Sequence, residues 1–303
     1  MESFLILPSK RHPLTVSAFT FVRNAIKFDY PVTEAIRSVL PLCDVMVVAV
    51  GRSEDATRDR VHAIGDPRIR IIDTVWDDSM REGGRVLAVE TNKAFAALNP
   101  ESTWAFYIQA DEVLHERYLP TVRAAMEKYA ADQEVEGLLF RYLHFWGSYG
   151  YIGDSRQWYR REIRVVRNDP SIRSWQDAQG FRKEGRKLQV APVDACIHHY
   201  GWVKPPQAQQ AKLESFHRYW HSDRWIEKSV TRAEIFDYQG MEYLSPFTGT
   251  HPQVMAGRIA GQDWHFEPRF VRRGHSLKST LLHFLEQQTG WRPGEYRNYR
   301  LIR

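Results

Sequence analysis

The chain has 303 residues, 43% of them hydrophobic and 13% aromatic, which is ample for a packed core and excludes global disorder. Its formal charge is +5, from 42 Lys and Arg against 37 Asp and Glu, with 12 His besides; so mild an excess suits phosphorylated ligands or an anionic surface and does not indicate nucleic acid. The length allows one large domain or a core with an appendage, and no apolar run approaches the roughly 18 residues of a membrane span.

In chain order, Met1 to Lys10 lacks the architecture of a cleavable signal. Residues 14–21 are β-branched and aromatic, a strand pattern, with Arg23 and Asn24 at its end. Apolar residues at 32, 35, 36, 39 and 40 share one helical face behind Pro31. Residues 45–50 form an uninterrupted apolar strand that breaks at Gly51 to Thr57, a turn leading into a helix that runs to about Ile64. Arg68 to Thr74 predicts a third strand. After Gly83-Gly84, positions 87, 91, 94, 95 and 98 make a helical stripe that Asn99-Pro100 ends. Trp104 to Ile108 is an apolar run with the signature of a strand buried on both faces, and it gives way at Gln109 to the adjacent carboxylates Asp111 and Glu112. A helix is predicted from about Leu119 to Tyr129. Four strands, each followed by a helical pattern, predict a mostly parallel sheet covered on both faces.

Beyond about residue 135 the rhythm changes. Val135 to Trp146, Arg161 to Arg167 and a Gly-punctuated hairpin pattern at 180–190 predict antiparallel additions to the sheet. Cys196 to Trp202 carries His198 and His199, which face opposite sides if the segment is a strand. Pro205-Pro206 introduces a polar helix over roughly 207–221 with Leu213, Phe216 and Trp220 as its apolar side, and a short helix is predicted near 276–288. Cys43 and Cys196 lie far apart among apolar neighbours and read as reduced core residues of a cytoplasmic protein.

Carboxylates where a buried strand emerges at the carboxyl edge of an α/β sheet sit where such folds bind ligands, and their hard oxygens suit Mg²⁺ or Mn²⁺ holding a phosphate. The competing reading is a solvated turn with Asp111 or Glu112 capping the following helix. No Gly-x-Gly-x-x-Gly, no P-loop and no Gly-x-Ser-x-Gly elbow occurs, which removes dinucleotide enzymes, P-loop NTPases and α/β-hydrolases.

The order of these motifs resembles the family 2 glycosyltransferases of the GT-A fold over about 14–203, two-thirds of the chain. The strand ending at Asn24, the segment Val47 to Thr57 with Asp55, the stretch Gly83-Gly84-Arg85 to Ala94 with Asn92, and Gln109-Ala110-Asp111 in the place of an Asp-x-Asp carry the resemblance. It departs in two places: Ala49 or Val50 stands where the family keeps a base-contacting carboxylate, and Gln109 replaces the first Asp. The resemblance implies a GT-A core over 1–203 and an extension over 204–303 that completes the acceptor side. It implies donor contacts from Asn24, Asp55, Arg85, Asn92, Gln109 and Asp111, with Asp111 and His199 holding Mn²⁺ or Mg²⁺ on the diphosphate of a nucleotide-sugar donor. Glu112 would partly make up for the missing carboxylate or cap the next helix. An inverting transfer needs a general base; Glu162, Asp169, Asp177 and Glu184 are candidates, and Asp177, beside Trp175, falls where related enzymes place it. Arg164, Arg167, Lys204 and Arg85 are unranked candidates for the cation facing the leaving diphosphate. The acceptor class implied is a surface polysaccharide or lipid-linked glycan, reached from the cytoplasm. The aromatic and basic mixture at 203–240 permits it to cover the acceptor site or to rest on the membrane's inner face. Two other functions fit the same fold: nucleotidyl transfer, and a catalytically silent glycan-binding module.

Overall fold

The computed structural model describes residues 14–229, 234–239, 241, 243–268 and 277–302. The expectation for Met1 to Lys10 therefore lies outside the described residues. The first half runs β1 (Val16–Val22), α1 (Val32–Val39), β2 (Val45–Gly51), α2 (Thr57–His62), β3 (Ile69–Thr74), α3 (Arg85–Ala96) and β4 (Trp104–Tyr107). There follow β5 (Glu112–Leu114), α4 (Leu119–Lys128), β6 (Gly137–Trp146), β7 (Tyr151–Gly153), β8 (Arg161–Arg167), β9 (Ile172–Trp175), β10 (Gly180–Lys183), β11 (Arg186–Lys187) and β12 (Gln189–Trp202). The remainder holds α5 (Pro206–His217), α6 (Asp223–Ser229), β13 (Leu244–Pro246), α7 (Ala256–Ala260), α8 (Leu277–Thr289) and β14 (Arg300–Leu301).

Strands β3, β2, β1 and β4 lie side by side and parallel, as the alternation of strand and helix predicts. β8 joins β4 antiparallel, and β6 joins β8 antiparallel. Two expectations need correction here. The strand predicted at 135–146, β6, is antiparallel to β8 but runs parallel to the long strand β12, which itself pairs antiparallel with β5, so it is only in part an antiparallel addition. The hairpin segment β9–β10–β11 forms a separate three-stranded sheet. Residues 204–303 contribute β13 and β14, which extend the main sheet at β7 and β12.

Alternation along the parallel strands divides the core into two layers. Val16, Ala18, Met46, Val48, Trp104 and Phe106 face α1, α2 and α4 with Ile36, Val61 and Met126. Phe19, Val47, Ala49, Ala105 and Tyr107 face α3 and the small sheet, meeting Phe95, Leu98 and Phe181. Both predicted helical stripes are buried, the second through Leu87, Thr91, Ala94, Phe95 and Leu98. At roughly 1.5–3 kcal/mol for each large apolar side chain taken from water, these two layers hold the sheet rigid. Strand order reverses between β1 and β4, and the crevice at their carboxyl ends is where an open α/β sheet binds ligands. Among the described residues no helix is long and apolar enough to cross a membrane.

Candidate active site

A cleft of about 260 Å³ opens at that crevice, near the lower end of the usual range for small-molecule sites. Phe21, Arg23 and Tyr30 line it from the β1 side, Gln109 and Asp111 from the β4 exit, Asp177 from the turn before β10, His199 from β12, and Lys212, Phe216 and Tyr219 from α5 and the turn after it.

The acidic pair that ends β4 splits into two roles. Glu112 starts β5 and is fully buried. Its carboxylate accepts from Arg164 Nε and Nη2 at 2.7 Å each, from the Tyr142 hydroxyl at 2.9 Å and from the Gln109 backbone N–H at 3.1 Å. It neither caps the following helix nor makes up for a missing ligand, because all its acceptor capacity is spent inside the protein. Arg164 is spent likewise, since its Nη1 also donates to the carbonyls of Ile163 and Gln179. Arg167 donates to four backbone carbonyls around Tyr129 to Val135, and Lys204 is fully buried with its ammonium on the Phe28 carbonyl at 2.7 Å. Burial, reinforced by the neighbouring charge of Lys212, lowers the Lys204 pKa well below that of an ordinary lysine. These three cations are therefore corrected from diphosphate candidates to structural groups.

Asp111 turns the other way, into the cleft. Its carbonyl accepts from the Tyr200 amide at 2.8 Å, which holds it beside β12, where His199 pairs with Glu112 in register. Oδ2 stands 3.7 Å from His199 Nε2 and 3.2 Å from Lys212 Nζ. Burial alone would raise this carboxyl's pKa, but Lys212, His199 and Lys204 outweigh it and hold the group well below the usual carboxylate range. Asp111 is an anion. Gly201 makes the arrangement possible, because a Cβ there would lie 2.5 Å from His199 Nε2 and 2.7 Å from Asp111 Oδ2.

His199 is oriented by a neighbour that sequence reasoning missed. His144, opposite it in the β6–β12 register, places Nε2 2.8 Å from the Tyr159 carbonyl and Nδ1 3.0 Å from His199 Nδ1. A carbonyl only accepts, so His144 Nε2 carries a proton. Burial and the charge of His199 push the His144 pKa well below its ordinary value, so the ring is neutral and its Nδ1 accepts. His199 therefore donates from Nδ1, and its Nε2 is the nitrogen turned to Asp111, at a separation beyond hydrogen bonding. His198 faces the opposite side, as strand alternation requires, stacked on Phe145.

Asp177 sits in a tight turn between Gln176 (φ 51°) and Ala178 (φ 62°), two non-glycine residues in the left-handed region. Such residues persist only where their surroundings dictate them, and they cluster at functional sites. The surroundings here are Gln109, whose amide donates to the Ala178 carbonyl at 3.3 Å, and Arg164, which donates to that of Gln179 at 3.0 Å. Gly84 (φ +67°) allows close approach from α3, since a Cβ there would fall 2.9 Å from that of Asp177. Burial raises the Asp177 pKa above that of a solvated carboxyl.

Four expected donor contacts do not line the cleft. Asn24 accepts from the Glu54 amide, and Asp55 accepts from the amides of Ile26, Lys27 and Thr57 and from the Thr57 hydroxyl, so the two staple the β1 and β2 exit loops together. Asn92 accepts from the Ser174 amide and ties α3 to β9. Arg85 is exposed at the start of α3. These side chains are corrected to scaffold or surface roles. Of the other base candidates, Asp169 is held by Ser171 and Lys183 outside the cleft. Glu162 is buried behind it, and Glu184 is exposed at the tip of the β10–β11 hairpin.

Toward a divalent cation the side chains fit poorly. Among the described residues no three His, Cys, Asp or Glu side chains converge. Gln109 is neutral, so the β4 exit turns one carboxylate, Asp111, into the cleft. The Lys212 ammonium already stands against Oδ2, the oxygen that faces His199. A hard dication there needs oxygen ligands and would meet like-charge repulsion.

No protein-family profile matches the sequence, and no curated protein does. Among solved structures, S. aureus TarS 1-349 in complex with UDP is similar with a TM-score of 0.40 and 12% identity, covering 66% of this chain and 64% of that one. S. aureus TarS gives 0.38 and 12%, covering 67% and 39%. Glucosyl-3-phosphoglycerate synthase from Mycobacterium tuberculosis in complex with Mn²⁺, uridine-diphosphate and phosphoglyceric acid gives 0.31 and 17%, covering 44% of each. The chain thus spans less than two-thirds of the length of each of these structures. Likeness this distant sets no residue equivalence.

Proposed function

We propose that the chain is a glycosyltransferase that moves a sugar from a nucleoside-diphosphate donor to a hydroxyl-bearing acceptor, with inversion at the anomeric carbon. The observation that carries this reading is a cleft with two carboxyls whose pKa values are shifted in opposite directions. Asp111 is held as an anion among Lys212 and His199, and Asp177 is desolvated with its pKa raised. Pairs of groups driven apart in this way mark the acid–base assignments of an active site. Asp177 accepts the acceptor's proton as its oxygen attacks the sugar, while the polar wall of Asp111, His199 and Lys212 receives the departing diphosphate. Phe21, Trp76, Phe216 and Tyr219 supply apolar faces for the sugar and exclude water from the reacting bond.

The sequence resemblance to GT-A enzymes supports the same reading. Nucleotidyl transfer gains no support, because the turn after β1 carries Asn24 locked on the next loop instead of a basic glycine-rich segment. The acceptor class we infer remains a glycan or lipid-linked glycan. The test is release of nucleoside diphosphate from a panel of UDP-, GDP-, CDP- and dTDP-sugars, in wild type and in Asp177→Asn. Asp177→Asn is expected to lower kcat by about 100-fold or more while donor binding persists, the usual weight of a general base. Full turnover in that variant overturns the role of Asp177, and no turnover with any donor favours a binding module.

A further inference from the structure

Arg23 and Lys212 are the only Lys or Arg side chains among the described residues that line the cleft. Arg23 is engaged with Asp78 at 2.7 Å and lies over the Trp76 ring. Lys212 stands instead beside Asp111, on the wall that carries His199. It projects from α5 and is largely buried, 14% exposed, with its ammonium 2.9 Å from the Gly201 carbonyl and 3.2 Å from Asp111 Oδ2. The rings of Tyr30 and Trp202 flank it at 5.1 and 5.9 Å. An ammonium has three protons, and among the described residues the protein takes two of them. The third is available to an oxygen entering the cleft.

Lys212 is also held where it is needed. α5 buries Gln209 and Gln210, and the carbonyl of Tyr219 in the following turn accepts from the Gly84 amide at 3.1 Å. The same Gly84 abuts Asp177, so one contact fixes both walls of the cleft relative to each other.

We propose that Lys212 is the group that neutralises the leaving diphosphate, and that this site runs glycosyl transfer without a divalent cation. The proposal rests on the glycosyltransferase reading above. In the step it serves, the bond from the anomeric carbon to the terminal phosphate oxygen breaks and its electron pair stays on that oxygen. A bond from the acceptor oxygen to the same carbon forms, and the acceptor's proton passes to Asp177. Nothing is oxidised or reduced. The negative charge that grows on the departing oxygen meets the Lys212 ammonium, which a largely buried site makes stronger than the same contact in water.

The experiment is calorimetric titration of the full chain with UDP, GDP, CDP, ADP and dTDP, each first in excess EDTA and then with Mn²⁺ or Mg²⁺. At least one diphosphate is expected to bind in EDTA, with affinity changed less than about threefold by either metal. Lys212→Gln is expected to weaken that diphosphate by about 10- to 100-fold, the weight of a charge-assisted hydrogen bond, and to leave binding of the parent nucleoside unchanged. Lys212→Arg is expected to retain most of the affinity. Diphosphate binding that appears only with metal overturns the proposal and leaves the glycosyltransferase reading standing. The wild-type EDTA titration gives that answer even if Lys212→Gln fails to fold. Equal affinity in Lys212→Gln overturns the proposal as well. Failure of every diphosphate under every condition overturns both.

Discussion

Arg164→Met removes half of an ion pair that carries the geometry of both walls of the cleft. Glu112 and Arg164 are each wholly buried, and the carboxylate takes two of its four hydrogen bonds from the guanidinium. Removing the guanidinium leaves a buried anion with only the Tyr142 hydroxyl and the Gln109 backbone N–H as donors. Breaking one side of such a pair costs about 3–5 kcal/mol. With about 2.1 cal/mol/K of unfolding entropy per residue over 303 residues, that lowers Tm by roughly 5–8 °C. The double variant Glu112→Met/Arg164→Met removes both charges and is expected to recover most of the loss, since a buried pair is seldom better than apolar side chains of similar volume. Urea unfolding of the wild type, both single variants and the double one gives the coupling directly, with an unchanged m-value as the control. The double variant is expected to remain poor in kcat, because Arg164 also holds the Gln179 carbonyl beside Asp177. A loss under about 1 kcal/mol in Arg164→Met, or a double variant no more stable than the weaker single one, refutes the reasoning.

Gly201→Ala places a methyl group 2.5 Å from His199 Nε2 and 2.7 Å from Asp111 Oδ2, and it is expected to cut nucleoside-diphosphate affinity by about tenfold or more. Unchanged affinity in titration calorimetry counts against the cleft as the diphosphate site. Glu162 is buried with its pKa raised from 4.5 to about 8, chiefly by burial. The unfolded chain loses that proton first, so stability is expected to fall as pH rises from about 4.5 to about 8, by up to roughly 1.4 kcal/mol per unit. Glu162→Gln should remove this slope; urea titrations of the two proteins that stay parallel from about pH 5 to about pH 8 reject it. Nitrogen-15 NMR is expected to find His144 neutral at pH 7 with its proton on Nε2, and His199 protonated at Nδ1; a charged His144 at that pH breaks the tautomer argument.

The parallel half of the fold was legible because its signals are local. The run at 45–50 could only be a strand buried on both faces, and the apolar spacing of α1 and α3 matches the faces those helices bury. Pairings across the sheet are not local, and that is where the reading of the site went astray. Asp111 and Glu112 are neighbours with equal chemistry. What separates their fates is Arg164, 52 residues away, and nothing short of the β4–β8–β6 arrangement reveals it. His144 and His199 meet because β6 and β12 run parallel in register, whereas an antiparallel addition was expected. Asn24, Asp55 and Asn92 show the opposite error. They are polar residues at the positions that carry the resemblance, yet their hydrogen bonds join the β1 and β2 exit loops and tie α3 to β9.

The substitution that stands out in the sequence and the cation found in the structure belong to one balance of charge. In the Asp-x-Asp pattern that this chain resembles, two carboxylates face one dication, and the wall is neutral before the donor arrives. Gln109 removes one negative charge from that wall, and with a dication still in place it would be left with a net positive charge. The Lys212 ammonium stands against Asp111 instead, so one carboxylate faces one ammonium and that contact is neutral. Gln109 also does something an aspartate could not, because its amide donates to the Ala178 carbonyl and so helps to fix the turn that presents Asp177. Gln109→Asp is therefore expected to lose twice. A second anion joins Asp111 opposite a single ammonium, and the Asp177 turn loses a donor. Added Mn²⁺ should restore diphosphate binding in that variant by balancing the charge, yet leave kcat depressed because the turn is still unsupported. Recovery of both by Mn²⁺ would show that the amide matters only as an absent charge.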